Sequence, residues 1–212
     1  MSRLDDEIKN PAKIFLKLKG SGGFEYFDKT KGEKGEKVSI PLPFTFMALD
    51  TLATVKGYSD STQSGFWSNE VRNIGKDQLT VRTKAGIAAK GTYSEVMANK
   101  ACTGAKFCQS VYAVSTINGK PEIINIQMMG TALSAWIDFA KNNKIFKGAI
   151  KVASMKQGKK GATVYQTPVF EAIDATPEAD AKAKEMNKEL KTYLDAYLGK
   201  SEQPEIATEN SQ

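Results

Sequence analysis

Alternation of apolar and polar positions, not helical striping, dominates the first 170 residues. Lys13 to Lys19 reads Lys-Ile-Phe-Leu-Lys-Leu-Lys, a short strand closed by Gly20-Ser21-Gly22-Gly23, whose glycines permit a turn or bulge. Phe24 to Asp28 follows, and the Lys- and Gly-rich stretch Lys29 to Lys37 reads as a mobile loop between two strands. The prolines of Ile40-Pro41-Leu42-Pro43-Phe44-Thr45-Phe46 exclude a central strand and place this segment along a sheet edge, before Leu49 to Tyr58 resumes β character. Phe66 to Val71 and Leu79 to Thr83 are strand-like, with Asn73 to Asp77 as the turn between them. The small residues of Ala85 to Lys90 indicate no definite element, and Tyr93 to Asn99 fits either a short helix or a strand.

Two hairpins are written more plainly. Ser110 to Ile117 and Glu122 to Met128 flank Asn118-Gly119, a pair that favours a type I′ turn because both central residues take positive φ. Gly148 to Met155 pairs with Ala162 to Phe170 across a loop carrying Lys156, Lys159 and Lys160. Between the hairpins the pattern changes. Leu133, Trp136, Ile137 and Ala140 recur at the spacing of an amphipathic helix over Thr131 to Asn142, which assigns Trp136 to the core. A second helix follows Thr176, a cap, and Pro177, a first-turn residue; Ala179, Ala183, Met186, Leu190, Tyr193, Leu194 and Tyr197 share one face. That stripe suits packing on the body or pairing with another protomer in a homo-oligomer. Ser201 to Gln212 holds three glutamates, no cation and no aromatic, the composition of a disordered tail.

Charge changes this picture from a fold to a surface. From Met1 to Phe170 there are 25 Lys and Arg against 14 Asp and Glu, a net of +11, whereas Glu171 to Gln212 has 5 against 10, a net of −5. Random solvation would spread both signs evenly; a basic body attracts polyanions through release of their counterions. The anionic end is placed to compete with phosphates for that body. The absence of histidine removes Ser-His-Asp and Cys-His nucleophiles and His-ligated zinc, and the acids between Gln63 and Phe170 are too scattered for a carboxylate metal site. A non-enzyme without a cofactor is expected. Cys102 and Cys108, with no third cysteine, fit free thiols in a reducing compartment. No apolar run reaches membrane-spanning length, and the acidic start carries no secretion signal, so the expected location is the cytoplasm, that of the host if the chain is phage-encoded.

Many strands, one internal helix between hairpins and a C-terminal helix predict a mainly β fold, an OB-like antiparallel Greek-key barrel, with a β-sandwich as the alternative. The expected divisions are 1–175 for this body, 176–199 for the helix and 200–212 for the tail. In its layout of Lys/aromatic body, Asn118-Gly119 hairpin, Lys156 to Lys160 loop and acidic end, the chain resembles the phage-type single-stranded DNA-binding proteins. The resemblance implies binding and protection of single-stranded DNA during replication or recombination, with the C-terminal region meeting replication or recombination proteins. Tails of that group often finish on an aromatic or apolar residue, whereas this one ends Glu209-Asn210-Ser211-Gln212.

Strand binding of this kind needs cations for the backbone and aromatic faces for the bases. Aromatics next to cations are therefore the candidates: Tyr26 and Phe27 between the Gly- and Lys-rich segments; Phe66 and Trp67 ahead of Arg72; Arg82, Lys84 and Lys90 leading to Tyr93; Lys106 and Phe107 with Tyr112 on the next strand; and Tyr165 opposite Lys156, Lys159 and Lys160. Two rival readings use the same charge. One is a virion or scaffold component; the other is a strand-annealing recombination protein, against which the two hairpins argue.

Overall fold

The computed structural model describes residues 8–60 and 63–201. Of the tail expected at 200–212, residues 202–212 lie outside the described residues, and 200 and 201 belong to the C-terminal helix. Among the described residues strands hold 49% and helices 24%, so the fold is mainly β, with one mixed sheet and a C-terminal helix. The strands in chain order are β1 (Ile14–Leu18), β2 (Phe24–Asp28), β3 (Glu36–Ile40), β4 (Phe44–Ser59), β5 (Ser64–Ser68), β6 (Leu79–Thr83), β7 (Gly86–Gly91), β8 (Ala105–Ile117), β9 (Lys120–Met128), β10 (Ala149–Lys160) and β11 (Thr163–Ile173). The helices are α1 (Tyr93–Ala98), α2 (Gly130–Asn142) and α3 (Pro177–Ser201).

The sheet runs β3-β2-β1-β9-β8-β4-β5-β6-β7, with β10 pairing β4 and β11. Its strand pairing does not close into a barrel. Nor is it purely antiparallel, because β1 lies parallel to β9 with Lys17 opposite Gln127. The first hairpin forms as its turn chemistry requires: Asn118 and Gly119 both have positive φ, and Ile117 pairs Lys120.

Two segments depart from the sequence pattern. The prolines do not mark an edge strand. Pro41 and Pro43 occupy the turn between β3 and β4, and β4 then continues for 16 residues through the centre of the sheet, paired with β8 on one side and with β10 and β5 on the other. The lysines of the second hairpin do not sit on a loop. Both strands extend to a two-residue turn at Gly161 and Ala162, so that Lys156, Lys159 and Lys160 pair with Thr167, Val164 and Thr163.

Three apolar clusters hold the sheet. The largest joins β1, β2, β4, β8, β9 and β10 beneath α2, where Trp136 is 1% exposed and its ring centre lies 5.6 Å from Phe170 and 6.1 Å from both Phe46 and Phe139. A second fills the space between β4 to β8 and α1, with Val55, Phe66, Leu79, Val81 and Val96. The third seats α3 on the opposite side of the sheet: Leu190 and Leu194 pack on Leu52, Tyr112 and Ile123. The apolar stripe of α3 is thus largely spent on its own sheet. Thr176 Oγ1 caps the helix by accepting from Ala179 N at 3.2 Å. Glu70 ties the helix down, its N–H donating to Tyr197 Oη at 2.8 Å while its carboxylate accepts from Tyr112 Oη at 2.6 Å.

Truncating these two anchors has a measurable cost. Trp136→Ala is expected to lower unfolding free energy by about 3–5 kcal/mol and Leu190→Ala by about 2–5 kcal/mol. Denaturant titration followed by circular dichroism reads both.

Candidate nucleic-acid interface

Residues paired directly across strands project to the same side of a sheet. Register therefore builds a row: Lys106 in β8 opposes Lys56 in β4, Lys56 opposes Trp67 in β5, and Trp67 opposes Arg82 in β6. Lys56 and Tyr58 lie beyond the part of β4 that α3 covers, and here the sheet surface opens into a groove of about 680 Å³. Lys17, Lys56, Lys106, Tyr58, Trp67, Gln127 and Met129 are among its lining residues. Tyr58 is 51% exposed and Trp67 39% exposed, enough for one ring face to meet a ligand.

The floor is made by a close approach of two backbones. Gly57 in β4 stands against the Gly104 carbonyl, and Gly104, at φ +96°, stands against the Tyr58 carbonyl; a side chain at either position would force the strands apart. The hydroxyl of Tyr58 donates to Gln63 Oε1 at 3.1 Å, which steadies the ring at the rim.

Among the described residues, Lys17, Lys56 and Lys106 make no ion pair. Lys56 is half-buried, and burial pushes its ammonium below the ordinary lysine value; Cys108 and Glu70 oppose that shift, and the positive charge of Lys17 adds to it. A desolvated cation beside a second cation is a place where an anion gains most. One acid, Asp60, shares the groove lining, so the cationic character is concentrated toward β1, β4 and β8.

The structure brings together three of the residues singled out from sequence and disperses the others. Trp67, Lys106 and Arg82 belong to the row. Tyr26 and Tyr112 are core residues, 6% and 0% exposed, with no ring face left for a base. Phe66 forms part of the groove wall but is 3% exposed and packs in the second core cluster. Tyr93 and Phe107 lie edge to face, 6.1 Å apart, both partly buried on that same cluster. Arg72 is held by Asp50, with Nη2 to Oδ2 at 2.7 Å, and so serves the sheet before any ligand. Phe27 is exposed on β2, outside the groove lining. Lys84 follows β6, and Lys90 is exposed on β7.

Lys156, Lys159 and Lys160 are exposed on the far half of the second hairpin, beyond Ile150–Val152, where β10 pairs with β4. Tyr165 lies there too, 36% exposed, its ring over the Gly158 backbone. The sequence reading missed Lys17, Lys56, Tyr58, Gln127 and Met129. Lys56-Gly57-Tyr58 carries the cation-beside-aromatic signal used elsewhere; Gln127 carries none.

The thiols take no part in this surface chemistry. Cys102 and Cys108 are free and buried; burial raises both, and pushes Cys108 to about 12 despite Lys56 nearby. Neither is expected to react with a disulfide reagent in the native protein at pH 8, and both should react in denaturant, as a thiol titration would record. Compared with known proteins, the chain matches no family model, and no curated protein or solved structure is significantly similar to it.

Proposed function

We propose that the chain is a non-catalytic binder of single-stranded DNA that covers and protects strands during replication or recombination. The observation that carries this reading is the cross-strand row Lys106, Lys56, Trp67 and Arg82 bordering a groove whose lysines make no ion pair among the described residues. A phosphate backbone satisfies the cations, while Trp67 and Tyr58 offer faces to the bases, a combination with little regard for sequence. Within this proposal the body is OB-like, on the strength of α2 set between two hairpins. The lysine hairpin of β10 and β11 supplies a second cationic surface for the same strand.

Fluorescence anisotropy with labelled single- and double-stranded oligonucleotides across salt tests the reading. Single strands should bind more tightly, with log affinity falling against log salt at a slope of about −3 if four cations each release roughly 0.7 counterion. Trp67→Ala should weaken binding about 5- to 150-fold, the worth of one stack. Lys56→Gln should reduce the slope by about 0.7. Equal binding of both forms, or none, would instead favour a structural role in a virion or scaffold.

The pH dependence has a definite sign. The lowered proton affinity of Lys56 means that its charge, and the phosphate contact it makes, is lost as pH rises before an ordinary lysine would titrate. Affinity for an oligonucleotide of adenine and cytosine should therefore decline at a lower pH than ordinary lysines titrate, and Lys56→Arg should carry the affinity to higher pH.

A further inference from the structure

Between Asp138 and Glu171 the chain carries seven lysines and no acid. The lysine hairpin occupies one part of that stretch; another is the turn from α2 into β10, which lies outside the groove lining. There Lys147 N–H donates to the Lys144 carbonyl at 2.8 Å and closes a tight turn, while Asn143 Nδ2 donates to the Phe139 carbonyl at 2.8 Å and fixes the end of the helix. Ile145 packs on the largest core cluster. Phe146 beside it is 56% exposed, the most exposed large apolar side chain among the described residues.

A lone exposed aromatic is ordinary on a protein surface. Its setting here is not. Lys141, Lys144 and Lys147 are all exposed and make no ion pair among the described residues. Cations around a ring held on a pinned turn repeat the combination found at Trp67. An acidic peptide would answer the lysines alone, whereas a nucleic-acid strand answers both, with phosphates for the cations and base faces for the ring.

Register relates this turn to the groove. β8 occupies one edge of β4, so β10 and β5 share the other. Along it Phe46, opposite Ile150, and Lys56, opposite Trp67, are ten residues apart, about 34 Å at 3.4 Å per residue. Because β10 is antiparallel to β4, the residues before Ile150 lie toward the Lys56 end, so that length bounds the separation along the strands. Two acids between these points are already engaged, Asp50 by Arg72 and Glu70 by Tyr112.

We propose that Phe146, with Lys141, Lys144 and Lys147, forms a second stacking station for single-stranded nucleic acid, reached from the groove only by strands longer than about ten nucleotides at 3.4 Å each. The station rests on the strand-binding reading of the groove and adds a dependence on strand length to it.

The test is an anisotropy titration of the full chain with labelled single strands of about 6 and about 24 nucleotides, below and above that reach. Phe146→Ala is expected to weaken binding of the longer strand about tenfold and to leave the shorter one unchanged, whereas Trp67→Ala weakens both. Phe146→Tyr, which keeps a ring face, should keep the affinity for the longer strand. Lys144→Gln combined with Lys147→Gln should reduce the salt slope for the longer strand by about 1.4 and leave that for the shorter one as it was. Because the ring is exposed, Phe146→Ala should unfold at the same denaturant concentration as the unaltered chain. Unchanged affinity of Phe146→Ala for the longer strand, or equal losses for both lengths, would overturn the station while leaving the groove intact. Failure of the unaltered chain to bind either strand would overturn the groove reading and the station with it.

Discussion

One extra residue in β4 determines which way its cation faces. Up to Ala48 the even-numbered residues Phe44, Phe46 and Ala48 point into the largest core cluster. Between Ala48 and Asp50 the register against β8 shifts by a residue, with Leu49 as the insertion. Beyond it the parity is reversed: Ala53 and Val55 enter the core, and Leu52, Thr54, Lys56 and Tyr58 turn to the other side. Side-chain direction alternates with period two, so without the bulge Lys56 would face apolar residues and Val55 the solvent. The groove, the cation row and the seat of α3 all depend on that single slip.

The side exposed by the bulge is divided between two uses. Near Asp50 and Leu52 it is apolar enough to bury Leu190 and Leu194, and the network of Glu70, Tyr112 and Tyr197 fixes the helix there. Past Thr54 the residues turn cationic and aromatic, and the helix no longer covers them. A partly desolvated Lys56 that makes no ion pair among the described residues is a cost to the free protein, of the kind that the proposed phosphate ligand would offset. Stability is thereby held below its optimum at the groove proposed to take the strand.

The two cationic surfaces are joined by short polar links. Met129 lines the groove, and two residues later Thr131 Oγ1 donates to the Gln166 carbonyl at 2.6 Å, next to Tyr165 on β11. The turn after β1 also meets this hairpin, where Gly22 leaves just enough room for Gln166 and Met155. The hairpin of Lys156, Lys159 and Lys160 is therefore tied to the Lys17 side of the groove.

Local chemistry was legible wherever it acts over a few residues. The Asn118-Gly119 hairpin, the helix centred on Trp136, the capped start of α3 and the two free thiols follow from turn preference, helical spacing and cysteine count, because each depends on neighbours in the chain. The surface was legible only in outline. Charge and aromatic content pointed to a cationic body and picked out Trp67, Lys106 and Arg82, but equally picked out Tyr26, Phe66 and Tyr112, since an aromatic beside a lysine has the same local pattern whether its ring faces core or solvent. The bulge after Ala48, the central position of β4 and the parallel pairing that sets Lys17 beside Gln127 are decided between distant segments. They are products of tertiary structure because register and strand order are chosen by which faces can be buried together, a condition that no short stretch of sequence carries.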